Sequence, residues 1–328
     1  MAKESDWASI SISAWTEIFN PDSCLVCGDV LSGRSDLYSQ EHIFPKWFLR
    51  RYELWNERLT LLNSSQIKYK DLKIPCCKDC NNRHLSAIES IVRAGFVGGY
   101  DELIKIPPSV LVAWLVKIHL GLLRKECTLS VDRGLAQSQK ILNTHDLAPY
   151  RVLQAVLKGV AKDYSFSCNV SEHPASLFIY RIKDGTGPNF NYHDTWSTMC
   201  LMLKAGEVGI LAVFDMGALA HRYSELFKRY EAYALHYEQF LELTARAIER
   251  SASYTHSPLC TLFDNEERVS VDVVSSYLSS GFYEFGDFSI DIVAGAFEAL
   301  GGRGDTLYNP KDWGNTLLLN ADGSFREI

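Results

Sequence analysis

Two CxxC motifs restrict the fold of this 328-residue chain more than any other feature. The first motif is Cys24-Leu-Val-Cys27, and the second is Cys77-Lys-Asp-Cys80, with 49 residues between them. Four thiolates satisfy the tetrahedral preference of Zn²⁺, and a CxxC turn brings two sulfurs to one ion at about 2.3 Å without strain. A site with four protein ligands has no open position, so we expect a structural zinc. Such an ion contributes about 10–16 kcal/mol to the folding of a small module.

Cys76 leaves the identity of one zinc ligand open, because it directly precedes Cys77. We favour Cys77, since positions 77 and 80 have the CxxC spacing and positions 76 and 80 do not. The alternative to a zinc site is a set of unrelated core thiols. The other cysteines are too scattered in the sequence to suggest a second zinc site: Cys127, Cys168, Cys200 and Cys260.

The charge of the chain is unevenly distributed along the sequence. Residues 34–93 contain eleven Lys and Arg and seven Asp and Glu, whereas the whole chain has a net charge of −7. A basic module on an acidic body is suited to contact with phosphate groups. A solvated surface of mixed charge is the alternative interpretation of the same segment.

The start of the chain and its longest apolar run indicate in which cellular compartment the protein is expected. The first ten residues lack the basic and apolar regions of a signal peptide, so we expect a cytoplasmic protein with reduced cysteines. The apolar run 110–123 is short and includes Lys117 and His119. It predicts a buried helix rather than a membrane span, and we therefore expect no membrane partner.

The chain is longer than one compact core usually is, so two domains are expected. We predict a helical lead-in over 1–22, a zinc-containing module over 23–95 and a larger mixed α+β domain over 96–328. Within the module, the patterns predict a strand in 36–44, a helix that starts at Pro45 and a helix over 80–94 that stops at Gly95. Beyond the module they predict helices over 108–126, 146–162 and 217–250, and strands over 176–182, 195–204 and 208–215.

Chemically active side chains lie between and beside the two CxxC motifs. Glu41 and His42 end the predicted strand just before Pro45, and Asn81 opens the helix that follows Cys80. This order resembles the HNH nucleases of the treble-clef, ββα-metal type, and especially the branch that includes phage recombination endonuclease VII. The resemblance extends over residues 24–90, about a quarter of the chain.

The resemblance implies a role for each matching residue. The four cysteines of the CxxC motifs correspond to the zinc ligands, and His42 corresponds to the general base that activates water. Glu41 and Asn81 correspond to the carboxylate and the amide that hold a second, catalytic Mg²⁺ or Mn²⁺. These roles are chemically reasonable, because an imidazole has a suitable pKa for a base and Mg²⁺ prefers a few oxygen ligands. Since adjacent strand residues point to opposite faces, Glu41 and His42 can share one site only if the strand ends or twists there.

Several positions depart from the family pattern or leave alternatives open. The acidic residue is Glu41 where Asp is commoner, Phe44 stands where that branch has another His, and the interval between the motifs is longer. Asn63 could orient the base through its amide or be a turn residue. His84 lies three residues beyond Asn81 and is a further candidate metal ligand or an exposed helix residue.

The resemblance predicts a metal-dependent HNH endonuclease that acts on nucleic acid, with DNA favoured over RNA. Candidate phosphate contacts are Lys46, Arg50, Arg51 and Arg83, although the two adjacent arginines could simply be solvated. Residues 96–328 would then bind the target or a regulatory protein. By analogy alone, such a protein would belong to a bacterial or phage DNA-processing or defence system. The alternative is a zinc-ribbon module that binds nucleic acid or protein without cutting, which has no need of Glu41, His42 and Asn81 converging.

Overall fold

The structure, a computed structural model, describes residues 20, 22–127, 129–131, 139, 150–254, 259–274, 284–307 and 316–328. It is a mixed α+β protein, as the sequence predicted. Almost all of the predicted lead-in 1–22 lies outside the described residues. No helix in the described ranges has both the length and the apolar character needed to cross a membrane.

The chain divides into two compact units that do not follow the predicted boundary at residue 95. The first unit contains Met1–Arg93, Ser109–Ser165 and Leu262–Val271, and the second contains Ala94–Pro108, Phe166–Thr261 and Asp272–Ile328. The N-terminal module thus shares a unit with residues that the sequence analysis had assigned to the larger domain.

An antiparallel strand pair forms the centre of the first unit. Strand β1 (Tyr38–His42) pairs with β4 (Lys73–Cys77), and the register places Glu41 opposite Ile74 and His42 opposite Lys73. The predicted strand in 36–44 is therefore confirmed. Between these strands lie helix α1 (Lys46–Arg51) and a small hairpin of β2 (Arg58–Thr60) and β3 (Gln66–Lys68). Pro45 is the N-cap of α1, so the helix begins one residue later than the predicted start at Pro45.

The helix predicted after the second CxxC motif is present but begins and ends differently. A wide π-helical turn covers Cys80–Leu85 and continues into α2 (Ser86–Gly98). The predicted end of the helix at Gly95 is wrong. Gly95 lies inside the helix, where the lack of a side chain lets residues 103 and 106 approach closely. A Cβ atom at Gly95 would lie 2.5 Å from Cδ1 of Ile106 and 3.2 Å from Cα of Leu103. The helix ends before Gly99, whose φ of +81° favours glycine.

A long helix of the first unit presents one face to the β1–β4 pair. After the short helix α3 (Tyr100–Leu103), α4 spans Pro108–Cys127, close to the predicted 108–126, and α5 spans Arg151–Gly159. Four residues of α4 at helical spacing contact the N-terminal module, and we call them the α4 stripe: Trp114, Lys117, Gly121 and Arg124.

Each residue of the α4 stripe has its own contact. Trp114 packs on Phe48 of α1, with ring centroids 5.8 Å apart. A Cβ at Gly121 would lie 3.1 Å from Ile43 and 3.4 Å from Ile74, so the helix passes close to both strands there. Arg124 donates hydrogen bonds to the carbonyl oxygens of Asn20 and Ser23. The stripe therefore spans the module from its aromatic core to the first CxxC motif.

The second unit is built on a five-stranded sheet in the order β10-β6-β9-β8-β7. Only the β10–β6 pair is parallel. The strands are β6 (Ser176–Ile182), β7 (Phe190–Thr195), β8 (Cys200–Ala205), β9 (Val208–Val213) and β10 (Ala234–Leu235). Three helices share a hydrophobic core with this sheet: α6 (Ala218–Lys228), α7 (Tyr237–Ala252) and α8 (Ile290–Ala299). A separate three-stranded sheet, most of whose residues belong to the first unit, joins β5 (Asp163–Ser167), β11 (Leu259–Asp264) and β12 (Arg268–Val274).

The single helix predicted over 217–250 is wrong. The chain forms α6, a 3₁₀ turn at Arg229–Ala232, the short strand β10 and then α7. The break occurs because Ala234 and Leu235 extend to pair with β6. His236 then starts a new helix by accepting a hydrogen bond from the backbone N–H of Glu238. The helical periodicity of the sequence continues across this break, so the periodicity could not reveal the break.

Candidate functional site

Four cysteine sulfurs converge at the edge of the first unit. The Sγ atoms of Cys24, Cys27, Cys77 and Cys80 all lie within 4.8 Å of one another. Cys24 and Cys80 are buried, and the other two are half-buried. This arrangement of soft sulfur ligands could hold a metal ion such as zinc.

Backbone geometry in both CxxC turns supports this arrangement. Gly28 follows the first motif with a φ of +84°, and its N–H donates to the carbonyl oxygen of Cys24 at 3.0 Å. The N–H of Cys77 lies 3.3 Å from the sulfur of Cys24, and the N–H of Cys80 lies 3.4 Å from the sulfur of Cys77. Such N–H···S hydrogen bonds stabilise thiolates and orient them toward a metal.

Cys76 lies beside the cluster without belonging to the convergent set. Its sulfur is buried and 3.8 Å from the sulfur of Cys24. The sequence preference for Cys77 as ligand is thus consistent with the structure, and Cys76 is a core neighbour.

Glu41 takes part in a buried ion cluster that the sequence analysis did not anticipate. The ammonium of Lys117 in the α4 stripe donates to Oε1 of Glu41 at 2.5 Å, to the carbonyl oxygen of His42 at 2.7 Å and to Oε1 of Glu89 at 2.8 Å. The Lys117 side chain is 1% exposed, and those of Glu41 and Glu89 are 10% and 19% exposed. An ammonium has three N–H donors, so all three are used here.

The protonation of this cluster follows from its composition. Burial opposes the charge of Lys117, but the carboxylates of Glu89 and Glu41 outweigh burial and raise the pKa of Lys117. Burial also raises the pKa of Glu89, against the opposing effect of the Lys117 ammonium. Lys117 is therefore a permanent cation at neutral pH.

His42 lies in a basic environment at the end of β1. The residue is only 8% exposed, and its ring stacks on Trp55 with centroids 6.1 Å apart. Burial lowers the pKa of His42, and the positive charges of Lys73 and Lys46 lower it further. The imidazole is therefore neutral at pH 7 and able to accept a proton while surrounded by cations.

The three other residues predicted to act chemically have local partners. The Asn81 amide donates to Oγ of Ser39 at 3.0 Å, and Nε2 of His84 lies 3.2 Å from the carboxylate of Asp79. Asn63 lies in the turn between β2 and β3, where its Oδ1 accepts from the N–H of Ser65 at 3.1 Å and its Nδ2 donates to the carbonyl oxygen of Ser130. Asn63 thus has the contacts of the turn residue that the sequence allowed.

The predicted phosphate contacts are on the surface of the first unit. The guanidinium of Arg50 lies over the ring of Trp55 at 5.8 Å, and that of Arg51 lies over the ring of Tyr52 at the same distance. All four predicted contacts are exposed: Lys46, Arg50, Arg51 and Arg83. Trp55 therefore connects an exposed arginine to the buried His42.

The arrangement around Glu41 does not suit the divalent metal that the resemblance implies. Glu41 contacts Lys117, whereas Asn81 contacts Ser39, two residues earlier on β1 and thus about 7 Å away along the strand. Mg²⁺ needs its oxygen ligands at about 2.0–2.1 Å from a common point. The Glu41 oxygen already has a cationic partner at hydrogen-bond distance.

Sequence reasoning missed Lys117, Glu89 and Trp55 as members of this site. Lys117 did give a signal, because a lone lysine within the apolar run 110–123 must find anionic partners when that run is buried. Nothing in the sequence indicated which carboxylates those partners would be. Comparison with known protein families, with curated proteins and with solved structures found no match to this chain.

Proposed function

We propose that the N-terminal part of this chain is a zinc-containing, HNH-like module that hydrolyses phosphodiester bonds in nucleic acid, with DNA as the favoured substrate. The observation that carries the proposal is the position of His42 at the end of β1, directly opposite Lys73. His42 lies on a strand that the cysteine cluster connects to the helix after Cys80.

Zinc in this proposal is structural and is held by Cys24, Cys27, Cys77 and Cys80. It would fix the start of β1 relative to the turn that carries Asn81. The Asn81–Ser39 hydrogen bond adds to that connection, because Ser39 also donates to the carbonyl oxygen of Cys76 at 2.8 Å. His42 is thereby held by both the cluster and the strand register.

The chemistry assigned to His42 is general-base catalysis. The neutral ring accepts a proton from water, the resulting hydroxide attacks phosphorus, and the bond from phosphorus to the leaving sugar oxygen breaks. That oxygen then takes a proton from solvent. Lys46 and Arg50 are both exposed in α1 and would attract the phosphate. Their positive charges would lower the barrier by offsetting the negative charge on the phosphate during attack.

The proposal is tested by incubating the zinc-loaded protein with supercoiled plasmid, linear duplex, single-stranded DNA and RNA, each with Mg²⁺, Mn²⁺ or EDTA. We expect nicking under at least one condition, and His42→Ala should reduce its rate by about 10²–10⁴-fold. Zinc content and the thermal midpoint of the variant should match wild type, because His42 is not a zinc ligand. Equal rates for wild type and a folded His42→Ala protein would exclude this assignment.

A second candidate function is nucleic-acid or protein binding without cleavage. The low exposure of His42 and its stacking on Trp55 favour it, because a base needs room for water and substrate. Arg50→Ala and Lys46→Ala would then weaken DNA binding in a salt-dependent way, while no cleavage is seen with any metal. The cleavage assay therefore separates the two candidates.

A further inference from the structure

The ion cluster of Lys117 has the composition of a cation site. Two carboxylate oxygens and one carbonyl oxygen surround a single point, which is the oxygen-rich ligand set that Mg²⁺, Mn²⁺ and Ca²⁺ use. The point is occupied by the chain's own ammonium. Its distances of 2.5–2.8 Å are those of charge-assisted hydrogen bonds rather than of Mg²⁺ coordination.

We propose that the Lys117 ammonium is the resident cation of this site, and that it takes the place in which the HNH resemblance implies a divalent metal. The proposal deepens the proposed function and rests on it in one respect only, namely that the site works as a hydrolase. The assignment of the cation itself stands on the geometry of Lys117, Glu41 and Glu89.

Three features favour an ammonium over a displaceable metal. Lys117 is fixed in the middle of a buried helix, with Trp114 and Gly121 of the same stripe packed against the module on either side. Its side chain has almost no exposure, so it has no solvated position to move to without opening the helix. The loss of its partners would leave a buried charge unpaired, which costs several kcal/mol.

The position of the ammonium gives it an electrostatic role beside His42. It contacts the carboxylate of Glu41, which the resemblance implies as a metal ligand, and the backbone carbonyl oxygen of His42, which the resemblance implies as the base. Because its three N–H groups are already used, Lys117 cannot donate to a phosphate as well. It is therefore a positioning residue that holds the end of β1, and the phosphate must find its cations among the exposed Lys46 and Arg50.

Removal of the ammonium should uncover a metal site. In Lys117→Met, two carboxylates would share a buried space with no counter-ion, and a divalent cation would relieve their repulsion. We expect this variant to bind one Mn²⁺ per chain, and the wild type to bind less than about a tenth of an equivalent at about 1 mM Mn²⁺, the weak end of oxygen-ligand sites. The double variant Lys117→Met with Glu89→Gln should lose this Mn²⁺ binding.

The experiment is electron paramagnetic resonance of Mn²⁺ with zinc-loaded wild type, Lys117→Met, Lys117→Met with Glu89→Gln, and Lys158→Met. Lys158 is the matched control, because it pairs with Asp264 elsewhere in the first unit and its loss should create no Mn²⁺ site. One tightly bound Mn²⁺ in wild type that disappears in Glu41→Gln would overturn the proposal, whether or not Lys117→Met folds. A folded Lys117→Met that binds no Mn²⁺ would also overturn it.

Cleavage assays separate this proposal from the proposed function. Where wild type cuts, the rate should be unchanged by brief EDTA treatment that leaves zinc bound, whereas cutting that EDTA abolishes and Mg²⁺ restores would contradict a resident ammonium. A wild type that cuts nothing would reject the hydrolase function, and the Mn²⁺ measurement would still decide which cation occupies the site.

Discussion

At the scale of single residues, His42 shows how the surroundings set the chemistry of an imidazole. Its cross-strand partner Lys73 and the following Lys46 place positive charge near a ring that is already poorly solvated. Both effects favour the neutral form. The lowered pKa of His42 therefore results first from burial and then from the register of β1 with β4, which places Lys73 opposite the ring.

The contribution of Lys73 can be measured directly. Lys73→Met should raise the pKa of His42, because it removes the largest of the three lysine contributions. NMR titration of the His42 ring, assigned with His42→Ala, gives this value without any assumption about activity. Lys70→Met is the control, since Lys70 instead donates to Asn56 at 3.0 Å. A pKa that is the same in wild type and Lys73→Met would show that Lys73 does not contribute to it.

The same shift determines how stability depends on pH. An unfolded histidine titrates near 6.5, whereas the folded His42 takes up its proton at a lower pH. Between these two values the unfolded chain binds more protons, so this residue's contribution to the free energy of unfolding is retained above about 6.5 and is lost as pH falls through the folded pKa. Hydrolysis by a neutral base should show its acid limb in the same range.

Gly121 is the residue at which α4 comes close to Ile43 and Ile74. Gly121→Val would place its Cβ 3.1 Å from Ile43 and add two methyl groups beyond it, so we expect a loss of about 1–3 kcal/mol in the free energy of unfolding. Urea unfolding followed by tryptophan fluorescence measures this loss. Gly295→Val in α8 is the matched control, because a Cβ there meets nothing within 4 Å. Equal stabilities of the two variants would mean that α4 does not pack on the strands at Gly121.

At the scale of elements, the cysteine cluster joins the segment before β1 to the turn after β4. Cys77→Ser should lose most of the bound zinc, whereas Cys76→Ser should retain about one equivalent, because only Cys77 belongs to the convergent set. Metal analysis after gel filtration checks both variants. Zinc loss in Cys76→Ser with full retention in Cys77→Ser would exchange the roles of the two residues.

The sequence allowed the elements around the cluster to be predicted because their signals are local. The CxxC spacing, the strand that includes Glu41 and the helices after Pro45 and Cys80 each depend on neighbouring residues. The break between α6 and α7 could not be predicted, because it depends on pairing between Leu235 and Ile182, which are distant in sequence. The carboxylates that pair with Lys117 could not be predicted either, because Glu41 is 76 positions away from Lys117 in the sequence.

At the scale of the whole molecule, the first unit requires residues from beyond the predicted module. The α4 stripe supplies an aromatic neighbour of Phe48, the counter-ion of Glu41 and Glu89 and a donor to Ser23. The domain boundary predicted at residue 95 separates these contacts. The fold of 23–95 therefore cannot be treated as self-sufficient.

A fragment of residues 20–98 tests this dependence. Without α4 the two carboxylates lack their ammonium, and Ile43 and Ile74 lose their cover, so we expect weak or absent cooperative unfolding even when zinc is present. Circular dichroism during thermal unfolding measures this. Glu41→Gln with Glu89→Gln should partly restore the fragment, because amides do not repel each other. A fragment as stable as the first unit in the full chain would contradict the assigned role of α4.

The order of residues in the cluster also has a consequence for synthesis. A ribosome produces Glu41 and Glu89 before Lys117, and the 28 positions from Glu89 to Lys117 take about one to six seconds at about 5–20 residues per second. During that interval the two carboxylates lack their ammonium, so this part of the chain cannot yet fold as it does in the complete first unit. Stalled ribosomes with chains of increasing length should therefore show a protease-resistant module only once Lys117 and the rest of α4 have emerged. The mature protein would then carry at this site a cation that cannot diffuse away, and the occupancy of the site would not depend on the metal content of the cell.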